Sequence, residues 1–347
     1  MDIKRSKQNP IIQPSDIRPS RPDFKVIGVF NAGVARLKNE IILLMRVAES
    51  PINARGNLPC APVFNHLTKE TEIKEFSSAA DTCDFSDPRE IVTANARYLT
   101  SISHLRVARS TDGINFAISL TPTITPENQY DSFGIEDPRV TEIDGIFYIT
   151  YSAISPLGIV TNLALTKDFI TFKRQGVIFC PDNKDVAIFP AKIDDKYYAL
   201  HRPSTSRFGK PEIWIAESPD LLNWGNHRHL LATRGNYWDN NRVGASAVPF
   251  TVNNAWLEIY HGASVANKYC LGAALLDGKE PWKVIARLDE PLMEPQAEYE
   301  KTGFFPNVVF SCGALCEDGV VKIYYGAADQ HICYAELALA DIMNALR

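Results

Sequence analysis

Short runs of alternating apolar and polar residues recur along this chain, and the recurrence organises everything else. Five such runs stand out, at residues 41–46 (IILLMR), 147–152 (FYITYS), 197–202 (YYALHR), 256–261 (WLEIYH) and 321–326 (VKIYYG). Their period of two and their β-branched and aromatic content predict strands. A turn pair precedes each: Lys38-Asn39, Asp144-Gly145, Asp194-Asp195, Asn253-Asn254 and Asp318-Gly319. Each run is therefore expected to be the second strand of a hairpin. A third strand should follow, marked by an alanine ahead of a polar turn, at Ala108, Ala164, Ala216, Ala274 and Ala335. In three cases an aromatic comes six residues after a Ser or Thr of that turn: Ser110 to Phe116, Thr166 to Phe172 and Ser218 to Trp224.

The alanines recur roughly every 50–60 residues, the size of a propeller blade and well beyond the ~8–12 residue spacing of strands in a sandwich. The pattern predicts an all-β chain, a five-bladed β-propeller spanning 1–347 as one domain. Residues 50–100, with Pro51, Gly56, Pro59, Pro62 and Pro88, break the pattern and are expected to form an irregular insertion loop over one face. A short helix is expected over 337–346.

Composition adds exclusions. At 347 residues, 45% hydrophobic and 22% charged, the chain can fill a sizeable core, and the repeat overrides the two-domain expectation that length alone would give. A net charge of -5 and a pI near 5.9 argue against a nucleic-acid partner. The longest apolar stretches, such as 41–45, are strand-length, and the basic start runs into Gln8-Asn9-Pro10 without an apolar segment, so neither a membrane span nor a signal peptide is expected. Seven scattered cysteines, with only Cys312 and Cys316 close together, suit reduced thiols in the cytoplasm. Homo-oligomerisation is compatible with the sequence.

In a propeller the channel-mouth ends of the strands converge, so polar residues at those ends are candidates for a shared site. They include Asn31, Arg46, Glu136, Asp137, Arg139, Lys184, Asp185, His201, Arg202, Arg242, Tyr260, His261 and Asp329. Asp137 lies in an acidic dipeptide between apolar Ile135 and Val140, where withdrawal from water would favour the neutral carboxyl that a general acid needs. Alone it reads as a turn aspartate before proline. The cations change this: Arg46, Lys184, Arg202, Arg242 and His261 come from separate repeats, and their convergence calls for an anion such as phosphate. The His227-Arg228-His229 pair lacks a third metal ligand and reads as surface. No metal and no organic cofactor are implied. Tyr130, Phe133, Tyr237, Trp238, Phe304 and Phe305 are candidate sugar-stacking aromatics.

The segments 29–34 (VFNAGV), 43–47 (LLMRV), 107–113 (VARSTDG), 134–140 (GIEDPRV), 184–190 (KDVAIFP), 201–203 (HRP) and 260–262 (YHG), in that order, resemble glycoside hydrolase family 130. The resemblance implies a five-bladed propeller acting on β-mannosides, most members being inverting phosphorylases and a smaller branch inverting β-1,2-mannosidases. It implies Asp137 as general acid, protonating the glycosidic oxygen through a mannose hydroxyl, and phosphate as co-substrate bound by Arg202, Arg242, His261 and Lys184. Asn31, Arg46, Arg109 and Asp329 match positions near the sugar, with Glu136 and Tyr260 beside them. An inverting hydrolase needs a second carboxylate ~6.5–9.5 Å from the acid, whereas phosphate needs only positioning by cations. The cations favour phosphorolysis, of β-1,2-linked mannobiose or mannooligosaccharides by the look of segments 201–204, 213–222, 227–230 and 242–244. A hydrolase using Glu258 or Asp239 as base, and a propeller that binds glycans without turnover, are the alternatives.

Overall fold

In the computed structural model, which describes residues 1–52, 58–76, 83–204 and 208–346, five antiparallel sheets each hold one repeat. Blade I comprises Phe24–Leu37, Glu40–Pro51, Ile102–Ser110 and Ala117–Ile118. Blade II comprises Ile135–Ile143, Ile146–Ser155, Gly158–Thr166 and Lys173–Phe179, and blade III Asn183–Ile188, Tyr197–Pro203, Ile213–Ser218 and Gly225–Leu231. Blade IV has a broken inner strand, Arg242–Ala245 then Phe250–Val252, followed by Ala255–Ala263, Tyr269–Asp277 and Val284–Arg287. Blade V takes Val309–Glu317, Val320–Ala327 and His331–Ala338 from the C-terminal end and its outermost strand, Lys4–Arg5, from the N-terminal end. That ring closure, which the repeat pattern did not reveal, is reinforced by a 2.8 Å ion pair from Arg5 to the buried Glu300.

The turn chemistry explains why the hairpins form. In Asp144-Gly145, Asp194-Asp195, Asn253-Asn254 and Asp318-Gly319 both residues have positive φ, the type I′ geometry that matches strand twist and that Asn, Asp and Gly tolerate. The third-strand turns are also one device repeated. Asp112, Asp168 and Asp220 each accept two backbone N–H groups from the residues two and three ahead. The five marker alanines are all buried, so the third strand can press close to its neighbours. Burial is divided among five main apolar clusters, one between each adjacent pair of blades.

Two differences from expectation appear. Segment 50–100 carries two hairpins, Cys60–Asn65 with Glu70–Glu75 and Glu90–Val92 with Arg97–Leu99, rather than an irregular loop; its residues 53–57 and 77–82, Gly56 among them, lie outside the described residues. The final helix runs over Leu339–Ala345, because Leu337 and Ala338 still pair with Val321 and Val320 in blade V. Among the described residues no helix is long and apolar enough to cross a membrane, and all seven cysteines are free.

Candidate active site

One irregularity, repeated around the ring, builds the site. In the inner strands of blades I, II and III the ladder loses register at the same place, where two residues oppose one on the second strand. Blade V shows a shift beside Ser311, and blade IV breaks its inner strand there. Such a bulge turns the extra residue out of the pleat. In blades I–III that residue is Asn31, Asp137 or Asp185, with φ of 50°, 51° and 56°. Asn and Asp are the non-glycine residues that best tolerate this left-handed backbone. On the second strand, the partner just before the bulge is Arg46, Ser152 or Arg202 in blades I–III; in blade V it is Tyr325, next to Gly326, and in blade IV His261 lies near the corresponding end. The polar groups therefore meet at one depth, in a cavity of about 470 Å³.

Its carboxylate side belongs to blades I, II and V. Asp137 Oδ1 accepts from Asn31 Nδ2 at 2.9 Å and from Arg46 Nη1 at 3.1 Å, and its Oδ2 faces Lys184 Nζ at 3.9 Å. Arg46 also reaches Glu136 at 2.6 Å and Ser103 Oγ at 3.1 Å, and lies over the Phe30 ring. Burial alone would push the Asp137 carboxyl up, but Arg46, Lys184, Asn31 and Arg139 outweigh it and hold it below the usual carboxylate range. This corrects the sequence-based expectation of a neutral carboxyl: among these partners Asp137 is ionised. Asp329, on the same wall, goes the other way. Burial first, and then the neighbouring Asp137 and Glu136 charges, against Arg46 and Arg89, raise it to about 6.

The cationic side belongs to blades III and IV. Beneath it lies Asp185, fully buried, with Arg139 Nη2 at 3.1 Å, Arg202 Nε at 2.6 Å and His261 Nε2 at 3.4 Å. The Arg202 contact is a close ion pair whose N–H does not aim at the oxygen, so it neutralises charge more than it forms a hydrogen bond. Burial pushes Asp185 up, but Arg202, Arg139 and His261 bring it well below the ordinary value. Arg139 is spent on the scaffold, donating to the carbonyls of Asp137, Ala245 and Ser246. Lys184, Arg202, Arg242 and His261 line the cavity. Arg242 Nη1 donates to Tyr269 Oη at 2.9 Å, and His261 packs 4.3 Å from Phe310 and is held neutral by burial, near 4.

Two sequence candidates lie elsewhere. Tyr260 is fully buried on the face of its strand opposite His261, stacked on Trp238, with its hydroxyl on Asp239 and under Arg287. Arg109 sits at the far end of blade I, paired with Glu40 at 2.9 Å and donating to the Asp168 carbonyl. Both hold blades together rather than facing the cavity. The candidate hydrolytic bases are also absent from the lining. Glu258 is buried beneath Ser246, its carboxyl raised well above the usual value by burial, and Asp239 is clamped by Arg234 and Arg287. Of the aromatics, Phe304 and Phe305 line the cavity; Phe133 is core, and Tyr237 packs against Arg234. His227 and His229 bond to His201 and Glu212, and among the described residues no group of three or more His, Cys, Asp or Glu is placed to hold a metal.

Sequence reasoning placed Asp185 among the strand-end candidates but gave it no role, and it left out Asp87, Arg89 and Tyr269, which line the cavity. Asp185 carries a signal, an Asx residue at the bulge position of Asn31 and Asp137. Asp87 and Arg89 lie in the insertion, which has no repeat register to locate them.

The sequence model of glycoside hydrolase family 130, described as β-1,4-mannooligosaccharide phosphorylase, matches residues 88–347. The chain is 46% identical to a β-1,2-mannobiose phosphorylase of Listeria innocua over 351 residues, covering 100% of this chain and 99% of that one. A solved structure of that Listeria enzyme with β-1,2-mannobiose superposes with a TM-score of 0.97 over the same extent. A 1,2-β-oligomannan phosphorylase of a Thermoanaerobacter species is 43% identical over 251 residues, 72% of this chain and 83% of that protein. Full-length similarity of this degree, on a propeller whose first and second strands carry the expected aspartate and cations into one cavity, has one reading: the chain belongs to glycoside hydrolase family 130 and is an enzyme.

Proposed function

We propose that this enzyme is an inverting phosphorylase of β-mannosides, acting on β-1,2-linked mannobiose or short mannooligosaccharides and releasing α-mannose 1-phosphate. The observation that carries this reading is the polarity of the cavity, with Lys184, Arg202, Arg242 and His261 across from Asp137 and neither Glu258 nor Asp239 in the lining. Planar guanidinium forks suit a phosphate dianion, and a dianion already carries the nucleophilic oxygen. The terminal mannose would lie against Asn31, Arg46, Glu136, Asp137 and Asp329, with Phe304 and Phe305 as apolar walls. A phosphate oxygen then bonds to the anomeric carbon as the glycosidic C–O bond breaks on the opposite face, and the Asp137 proton passes through a mannose hydroxyl to the leaving oxygen.

The ionised resting state of Asp137 fits this sequence of events. Lys184 helps to keep it ionised at 3.9 Å. A dianion bound beside Lys184 offsets that cation and adds negative charge of its own, which against Arg46 and Asn31 moves the carboxyl up toward the protonated form when phosphate arrives. The reaction as read here uses phosphate as co-substrate and needs no metal or organic cofactor, and the free thiols support a cytoplasmic setting. Incubation with β-1,2-mannobiose, with and without inorganic phosphate, tests the reading. Mannose 1-phosphate should form only with phosphate; free mannose released at the same rate without phosphate would replace this reading with hydrolysis.

A further inference from the structure

Beside the catalytic cavity lies a second one of about 400 Å³, and the two share a wall: Asp87 and Glu90 line both. Between them stands Arg89, which lines only the catalytic side. Its side chain is fixed at both ends. Asp87 Oδ1 accepts from the Arg89 backbone N–H and from Nε at 2.9 and 3.0 Å, and Asp87 Oδ2 accepts from Nη2 at 2.7 Å. Its guanidinium lies 4.1 Å over the ring of Phe305, on the loop leading into blade V, so the insertion of blade I reaches across to another blade. The backbone is clamped as well: Thr100 N–H donates to the Arg89 carbonyl at 3.0 Å and Thr100 Oγ1 to the Pro88 carbonyl at 2.7 Å. The neighbouring Ile91 is fully buried against Ala61 and Phe76. This is a built partition, not a surface loop resting over a hole.

Its place follows from the chemistry. Inversion sends the leaving sugar away from the nucleophile. The anion-binding cations come from blades III and IV, so the acceptor departs toward blade I, its insertion and blade V, where Asp87, Arg89 and Phe305 stand. The catalytic cavity is at the small end of the ~300–1,000 Å³ range of ligand pockets, room for a short saccharide with an anion. The second cavity has the mixed lining of a sugar subsite, with Lys25, Ser50 and Thr100 beside Phe85 and Pro88. Resting on the phosphorylase reading above, we propose that the Asp87–Arg89–Phe305 partition sets acceptor length, ending the site after a short acceptor, and that the cavity behind it is a latent subsite for further sugar units.

The test compares phosphorolysis of the β-1,2-linked disaccharide and tetrasaccharide by wild type and by Arg89→Ala, read as mannose 1-phosphate. The ratio of kcat/KM for tetrasaccharide to disaccharide should rise at least tenfold in Arg89→Ala. It should return toward the wild-type ratio when Ser50→Trp, which fills the second cavity, is added. Phe305→Ala, which removes the other half of the arch, should shift the ratio in the same direction as Arg89→Ala. A ratio within twofold of wild type in both single variants overturns the partition, and a gain that survives Ser50→Trp overturns the latent subsite. Failure of the wild type to phosphorolyse either sugar would instead overturn the reading on which the inference rests, so the two failures are distinct.

Discussion

Replacing Asp185 with Asn changes one oxygen to an amide and removes one charge from the middle of the ring. In the folded protein that charge faces Arg139 at 3.1 Å and Arg202 at 2.6 Å, all three side chains being nearly or wholly excluded from water. Taking away one partner of such a buried group typically costs about 3–5 kcal/mol, because the remaining charges have no bulk water to return to. An unfolding entropy of ~2.1 cal/mol/K per residue, applied to 347 residues, gives about 0.7 kcal/mol/K, so Tm should fall by about 4–7 °C. Asp185 is held well below the usual carboxylate pKa. Its contribution is therefore present throughout the neutral range and is lost only as pH falls through that depressed value, so the difference between wild type and variant should be constant from pH 6 to 8. Arg202 also loses its internal anchor, and the KM for phosphate should rise at least tenfold, with a smaller change in KM for the sugar. Differential scanning calorimetry without ligand, together with phosphate-dependence kinetics, measures both. A variant melting within 1 °C of wild type with an unchanged phosphate KM would refute the view that Asp185 organises the cationic side.

Phosphate binding measured calorimetrically near pH 6.5 in buffers of different ionisation enthalpy should show proton uptake that disappears in Asp137→Asn; uptake persisting in that variant would assign the proton to another group. The same variant should be folded and lose nearly all turnover. Asp329→Asn removes a carboxyl whose folded pKa, about 6, lies above its unfolded value, so its ionisation disfavours folding increasingly as pH rises from the ordinary carboxylate range to about 6 and by a constant amount above that. The variant should gain about 1–3 kcal/mol over wild type above pH 7, allowing for partial access to solvent, and nothing at pH 3.5; thermal melts that stay parallel at both pH values would contradict this. Glu258→Gln should leave turnover intact and change stability by no more than about 1 kcal/mol, since the buried carboxyl is already held neutral; a severe loss of turnover would return Glu258 to the role of hydrolytic base.

What could be read from the sequence divides along physical lines. Blades were legible because type I′ turns need particular residues at two adjacent positions, and Asp144-Gly145 or Asn253-Asn254 announce them without any tertiary information. Arg46, Arg202 and His261 were legible because each ends one of the recurring runs, at the position that faces the cavity. Tyr260 was misplaced because neighbours on a strand point to opposite faces, so one residue of Tyr260-His261 had to leave the site. Arg109 was misplaced because its partners, Glu40 and the Asp168 carbonyl, are fixed by blade packing, which local pattern does not encode. The charge state of Asp137 depends on cations from other blades, and so a local argument from burial gave the wrong direction.

The repeated bulge separates two demands that usually compete for the same residues. Apolar side chains between the blades hold the ring, while the chemistry occupies a circle of interchangeable sockets, one or two per blade, at a fixed depth. Asn31, Asp137 and Asp185 fill three with one amide and two carboxylates on nearly the same backbone. Where a socket is left without a side chain, the space is used by a neighbour: a Cβ on Gly326 would collide with Asn31 Oδ1. Drift in reaction type can thus proceed by exchanging single socket residues, with the turns of the hairpins and the packing between blades untouched.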